Sequence, residues 1–513
     1  SREGLVNFNG VLFQNLTSTS TTHFFNITTN NVAGVSIASG TYEVEGAYTP
    51  TLGTFNVSAA TSFTLLSDAT RTARIAQAGT GTVTGTMRVQ RYISARSAGY
   101  SDMSSPVASS TVADWDNELL LVYPYSPPTY YPSVWSYDEA IWDYVPVTTS
   151  TEVLTPGKGF EVYLDSYGTY ATFDATTVDT RGTPTIGSLN ISSSLSAVND
   201  GWNLVGNPYA SFISWNSLYT ASTGIGNTIM IYDETIADFE VMTAASGFEI
   251  PPHQGFWIEA TSGSPSVTFT ESNKTTSSNS IFKIAPAGNF ALHLASAEKE
   301  HFFTSKAQFV PMSGTPFDHD IRFRPVPHPL APQLYAVNEE NVSYRVKHFD
   351  ETNEEVQVQL GFKVQENGIY TITPLNLFNI RDLGYTCAIL TDSKTGNQFV
   401  LRDDVKYTFL ATTADDVNRF SLTLRKNGNC TPVYQTSHDV IFANGINQVT
   451  VGIQGEVEKG SIRVLDLLGQ SVNNALSVNG EGQYTVGMPP VQACYLVEVN
   501  VNGTTYLHKY ISR

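Results

Sequence analysis

Short segments that alternate polar and apolar residues, each closed within a few positions by Gly, Asn, Ser or Thr, constrain this chain more than any other feature. FFNITTNN, YEVEGAYT, TFNVSAA, SFTLLSD, ARIAQAG and TMRVQRY follow one another between Leu5 and about Arg91. A period of two puts every second side chain on one face of a strand, so a helix could not bury these residues together. Evenly spaced short strands read either as a sandwich or as the last rungs of a β-solenoid, and the solenoid is the expectation taken forward. The terminal rung of a solenoid needs a cover, so the start at Ser1, without Met or a leader, is read as the tail of a longer polypeptide.

An internal repeat follows. SYDEAIWDYVPV (Ser136 to Val147) aligns with IYDETIADFEVM (Ile231 to Met242), and LTPGKGFEVYL (Leu154 to Leu164) aligns with IPPHQGFWIEA (Ile250 to Ala260). Tyr137 and Tyr232 are 95 positions apart, Phe160 and Phe256 are 96, and upstream Trp115 and Trp215 are 100. Two copies of one β-module are therefore expected, the first carrying about five extra residues in the Pro-rich stretch Tyr123 to Trp135. Proline lacks the ladder donor, so this stretch reads as a surface loop. TESNKTTSSNS (Thr270 to Ser280) reads as a linker, and the period-two segments beyond it as one antiparallel sandwich ending near Lys426.

The chain has 513 residues, too many for one core. Expected domains are 1–95, the end of a solenoid or strand stalk; 96–180 and 181–275, the two modules; 276–430, the antiparallel sandwich; and 431–513, a small immunoglobulin-like sandwich. The fold class is all-β and multidomain. Lys and Arg number 28 against 47 Asp and Glu, giving a net charge of −19, and no basic run is present to neutralise phosphates, so nucleic acid is not an expected partner. No apolar run reaches the roughly 20 residues of a membrane-spanning helix. Cys387, Cys430 and Cys494 match no metal or redox spacing. They are expected to pack as small apolar side chains or to leave one disulfide and an odd thiol.

The terminal block contains QVTVGIQ, GSIRVLDLLGQSV, QYTVGM, CYLVEVNVNG and TTYLHKYIS, five alternating strands with Asn502-Gly503 as a hairpin turn. GSIRVLDLLGQSV (Gly460 to Val472), ACYLVEV (Ala493 to Val499) and NGTTYLHKYI (Asn502 to Ile511) resemble the three motifs of the C-terminal sorting domain of type IX secretion in Bacteroidota, most nearly its type A form. Asp466, Gly469, Tyr495, Gly503 and Lys509 occupy the family's motif positions. Ala493 stands where the family usually has Gly, and FANGINQVTV replaces its initial Asn-Pro. More loosely, the YDE repeats and the Leu5 to Arg91 segment resemble modules and stalks of large secreted surface proteins from these bacteria. The resemblance implies export across the outer membrane to the cell surface or the medium. The implied partners are the type IX translocon, a shuttle protein and a sortase that attaches the product to surface lipopolysaccharide.

No nucleophile elbow, HExxH, P-loop or GxGxxG is present, so no catalytic residue is assigned. Asp318, His319, Asp320 and His328 cluster in FDHDIRFRPVPHP, and a solvated turn paired to Arg322 or Arg324 is favoured there over a metal. Asp138-Glu139 and Asp233-Glu234 recur in both repeats. Adjacent strand residues face opposite ways, so a turn role is favoured, and no cofactor is expected beyond a calcium ion that one such carboxylate could help hold. Tyr123, Tyr125, Tyr130, Tyr131 and Trp135 are the candidate glycan platform, weighed against packing of the same rings on the module core. The favoured function is a non-enzymatic stalk or adhesin exported by the type IX route. The alternative is a carbohydrate-binding accessory region behind an enzyme that precedes Ser1, and a hydrolase within the chain ranks last.

Overall fold

Parallel strands stacked in register account for the alternating segments at the start of the chain. The structure, a computed structural model, describes residues 4–123, 132–167, 172–233, 238–277, 290–297, 304–312, 321–322, 331–403, 405–427, 430, 439–445, 447–454, 457–480, 482–491 and 493–511. Strands hold about 54% of the chain and helices about 5%, so the fold is all-β. Two units are present, Ser1–Ala285 and Pro286–Arg513.

The first unit opens with a β-solenoid of about four turns. Leu5 lies opposite Asn26 and Ile27 opposite Tyr48, a repeat of 21 residues, and the last coil is longer, with Ala47 opposite Arg74. Because equivalent positions stack, alternation becomes columns of buried side chains: Val35, Phe55 and Val83 form one, and Val44, Leu65 and Val89 another. The Phe55 ring lies 5.2 Å from Tyr48 and 5.4 Å from Phe63. Each such ring stabilises the stack by roughly 2 kcal/mol through burial alone. The last solenoid strand, Met87–Ile93, pairs antiparallel with Thr176–Pro184, which covers the edge that another coil would otherwise extend.

The two modules repeat one topology. In the first, the sheet order is Gly99–Ser104, Gly159–Leu164, Val134–Asp138, Asp143–Pro146; in the second it is Trp202–Gly206, Gly255–Ala260, Ile225–Asp233, Asp238–Thr243. Each has a short helix, Val112–Trp115 or Trp215–Thr220, and both repeated tryptophans, Trp115 and Trp215, are fully buried. The modules meet through paired backbone contacts at equivalent positions. Ser104 N–H donates to His253 O at 2.9 Å, and Gly206 N–H donates to Gly157 O at 3.0 Å. Gly206 is required here, since a Cβ would stand 2.3 Å from that of Ser104.

In the second unit, ten strands follow one another from Asn397–Val400 at one edge to Tyr407–Ala411 at the other, with Ile321–Arg322 pairing off the path. The sheet curls on itself, bringing Phe409, on that last strand, within 4.8 Å of Phe420, on the third. One pair departs from the antiparallel expectation: Thr304–Met312 and Ser343–Asp350 run parallel. A parallel pair needs a crossover of a dozen or more residues, and the stretch between these two strands is long enough to supply one. Arg419, almost fully buried, lies 2.6 Å from Asp392 and 2.7 Å from Asp415.

A second pair of sheets completes this unit. Asp439–Gly445, Gln448–Gln454 and Gly482–Gly487 form one; Leu476–Val478, Gly460–Leu465, Cys494–Val501 and Thr504–Ile511 form the other. Val449, Val451, Ile462, Val464, Val497 and Val499 fill a core of their own between them. Cys387 and Cys430 form a disulfide, and Cys494 is a free, half-buried thiol. That is the second of the two cysteine arrangements expected from the sequence.

Candidate functional site

The terminal motif residues are built into turns and a core. After strand Gly460–Leu465, the Asp466 carboxylate accepts the N–H groups of Leu468 and Gln470, both at 2.9 Å, while Gly469 N–H donates to Asp466 O at 3.0 Å. Gly469 has φ +79°, so the turn needs a short acceptor at its first position and a residue free of Cβ strain three positions on. Leu467 and Leu468 are left exposed at the tip. Asn502 and Gly503 both have positive φ, at 49° and 86°, in the hairpin between Val501 and Thr504. That is the geometry of a primed two-residue turn.

Register then decides which of these residues meet. Leu465 lies opposite Leu496, and Leu496 opposite Lys509. Asp466, Gly469, Tyr495 and Lys509 therefore gather at one end of the four-stranded sheet, and Gly503 sits at the other. Tyr495 is buried in the core, and Lys509 is exposed on the edge strand.

The aromatic stretch divides. Tyr125, Tyr130 and Tyr131 lie outside the described residues. Tyr123 is half-buried against the first module's core, and burial, then the neighbouring Asp116, push its hydroxyl pKa up. Trp135 belongs to strand Val134–Asp138 rather than to a surface loop and is 3% exposed, so it offers no face to a sugar; Val134 and Ser136 beside it are buried as well, so both faces of the strand are covered there. The exposed tryptophan of this module is instead Trp142, 50% exposed, whose indole N–H donates to Asp200 at 3.0 Å. Sequence reasoning passed over it because it lies within the repeat.

Of the repeated carboxylates, Asp138 accepts Ala140 N–H at 3.0 Å in its own turn. Glu139 reaches into the second module. It is 2% exposed and accepts the N–H groups of Val198 at 3.0 Å, Asn199 at 2.5 Å and Gly201 at 3.0 Å, together with the Ser196 hydroxyl. Burial works against its charge, but these four donors outweigh it and hold the carboxyl below the usual range. Glu234, its counterpart, lies outside the described residues, as do Asp318, His319, Asp320 and His328. Among the described residues no three His, Cys, Asp or Glu converge as a metal site, and no helix is long and apolar enough to cross a membrane.

A second buried carboxyl lies where the modules meet. Asp102 is 2% exposed, opposite the equally buried Glu161, and accepts Tyr232 N–H at 3.1 Å. Burial pushes it up to about 7, against the pull of Tyr232 N–H and the Trp257 indole. His253, also buried, is held down to about 3 by burial and then by Arg91.

A family model described as a domain of unknown function (DUF8693) matches residues 16–245, a stretch that begins in the solenoid and ends in the second module. No curated protein matches the chain. A solved structure described as a tetra-tandem repeat in the extending region of a large adhesion protein is matched at 11% identity, over 57% of this chain and 94% of that one, with a TM-score of 0.13.

Proposed function

We propose that this chain is a non-enzymatic, surface-exposed protein of the stalk or adhesin kind, and that residues 431–513 direct its export by type IX secretion. Its partners in that role are the outer-membrane translocon, a shuttle protein and a sortase, and its destination is the cell surface or the medium. The observation that carries this reading is the terminal sandwich, where Asp466, Gly469, Tyr495 and Lys509 gather at one end of one sheet. Its separate core favours a block that folds and is recognised on its own. The Cys387–Cys430 disulfide is in keeping with an oxidising compartment outside the cytoplasm.

The test is to fuse residues 431–513 to a fluorescent reporter bearing an ordinary signal peptide and to express it in a Bacteroidota host. Reporter at the surface or in the medium is expected, with loss of export in a translocon-deficient strain. A periplasmic reporter in the competent strain would overturn the reading. Gly469→Val, which puts a branched Cβ where φ is positive, is expected to reduce export.

A further inference from the structure

A cavity of about 400 Å³ opens where the third and fourth coils of the solenoid meet the strand Thr176–Pro184. Ser58, Thr61, Ser62, Thr86, Arg88 and Arg181 stand in its wall. Arg88 and Arg181 lie directly opposite each other in the antiparallel register, so both side chains leave the same face. Two cations at that spacing repel, and Asp179, fully buried between them, makes the pairing stable. One of its oxygens accepts Arg88 Nε–H at 2.5 Å and the other accepts Arg181 Nε–H at 3.1 Å.

The two guanidinium groups are not equivalent. Arg88 gives Nε and Nη2 to Asp179 and has Glu118 at 3.7 Å. Arg181, 46% exposed at its side chain, bonds Asp179 through Nε alone. Its two terminal nitrogens make no hydrogen bond among the described residues. The hydroxyls of Ser58, Thr61, Ser62 and Thr86 likewise make none there. The wall therefore presents one planar cationic fork, oriented by a buried carboxylate, and four hydroxyls that can each donate or accept.

We propose that this cavity binds a single acidic sugar, a hexuronate, with its carboxylate on the Arg181 fork and its ring hydroxyls on the Ser and Thr wall. The bidentate match of guanidinium to carboxylate selects the charged group. The uncommitted hydroxyls select a ligand that is itself rich in hydroxyls. A volume of about 400 Å³ is at the small end of ligand sites and leaves most of its space empty around a bare inorganic anion. The site lies in the solenoid and its covering strand, and the inference does not rest on the export reading.

The experiment is calorimetric titration of the full chain with glucuronate and galacturonate, with glucose and galactose as neutral controls and sodium sulfate as the bare anion. A uronate is expected to bind, and the matching neutral sugar to bind at least about tenfold more weakly. Arg181→Gln is expected to lower uronate affinity at least about tenfold with the chain still folded at the titration temperature, because Asp179 keeps Arg88. Thr86→Val, two residues from Arg88 in the cavity wall, is expected to lower it several-fold without changing the charge. Absence of uronate binding, equal binding of the neutral sugar, or full affinity in Arg181→Gln overturns the proposal. Sulfate binding as tightly as uronate, with Thr86→Val without effect, also overturns it and leaves a simple anion site.

Discussion

Asp102→Asn offers a direct test of how the two modules hold together. The carboxyl is buried beside Glu161 and raised from 3.8 to about 7. A folded value above the unfolded one means that the folded state binds the proton more tightly. Stability from this group is therefore fully present below about pH 4 and lost as pH rises through about 7. The rise corresponds to about 4 kcal/mol. Asparagine is nearly isosteric, its carbonyl can still accept Tyr232 N–H, and it cannot ionise. All six tryptophans of the chain, Trp115, Trp135, Trp142, Trp202, Trp215 and Trp257, lie in the two modules, so their fluorescence during urea unfolding reports on this region. Measured from about pH 5 to about pH 8.5, the wild-type protein should lose about 2.7 kcal/mol relative to the variant, nearly all of it between about pH 5 and about pH 7 and almost none above about 7.5. Taking the difference between the two proteins cancels other titrating groups, including His253, which is held down to about 3 when folded and returns to its ordinary 6.5 on unfolding. A constant difference across the range, with Asp102→Asn equally weakened at both ends, would refute the reasoning and make Asp102 an ordinary hydrogen-bonding residue.

Glu139→Ala removes the acceptor for three backbone N–H groups and one hydroxyl, and should destabilise the module pair by about 3 kcal/mol in the same urea assay. Because the Glu139 pKa is lowered, its contribution is present above about pH 4.5 and lost as pH falls through the depressed value, opposite in sign to Asp102. Cys430→Ser opens a link across 43 residues and should cost the second unit about 4 kcal/mol in a calorimetric scan, a difference that vanishes when both proteins are reduced. Arg419→Met leaves Asp392 buried without its cation and should cost about 3 to 5 kcal/mol, read from urea unfolding followed by circular dichroism. Glu118 is raised to about 6 by burial first and by Asp179 next, against Arg88 and Arg181. Protonating it removes a negative charge beside the fork, so uronate affinity should rise as pH falls through about 6, and Glu118→Gln should flatten that rise in calorimetric titration.

Local pattern and spacing were enough to establish several features of this protein. Alternation of period two specifies strands, because it leaves only one face to bury, and stacking at 21 residues turns that face into the columns of the solenoid. The 95- and 96-residue offsets between YDE and GF segments specify two modules with one strand order. Asn502-Gly503 specifies its own turn, because few residues accept positive φ twice in succession. Tertiary structure decided everything that depends on which distant strands are neighbours. The Trp135 ring is buried because both faces of its strand are covered there, a fact its Pro-rich neighbours obscure. Glu139 finds its donors some 60 positions along the chain, and Arg88 meets Arg181 across 93, through a register that depends on the whole solenoid edge. Hydrophobic periodicity reports which face of a segment is buried; it carries no information about which polar side chain will stand opposite another once two such faces close.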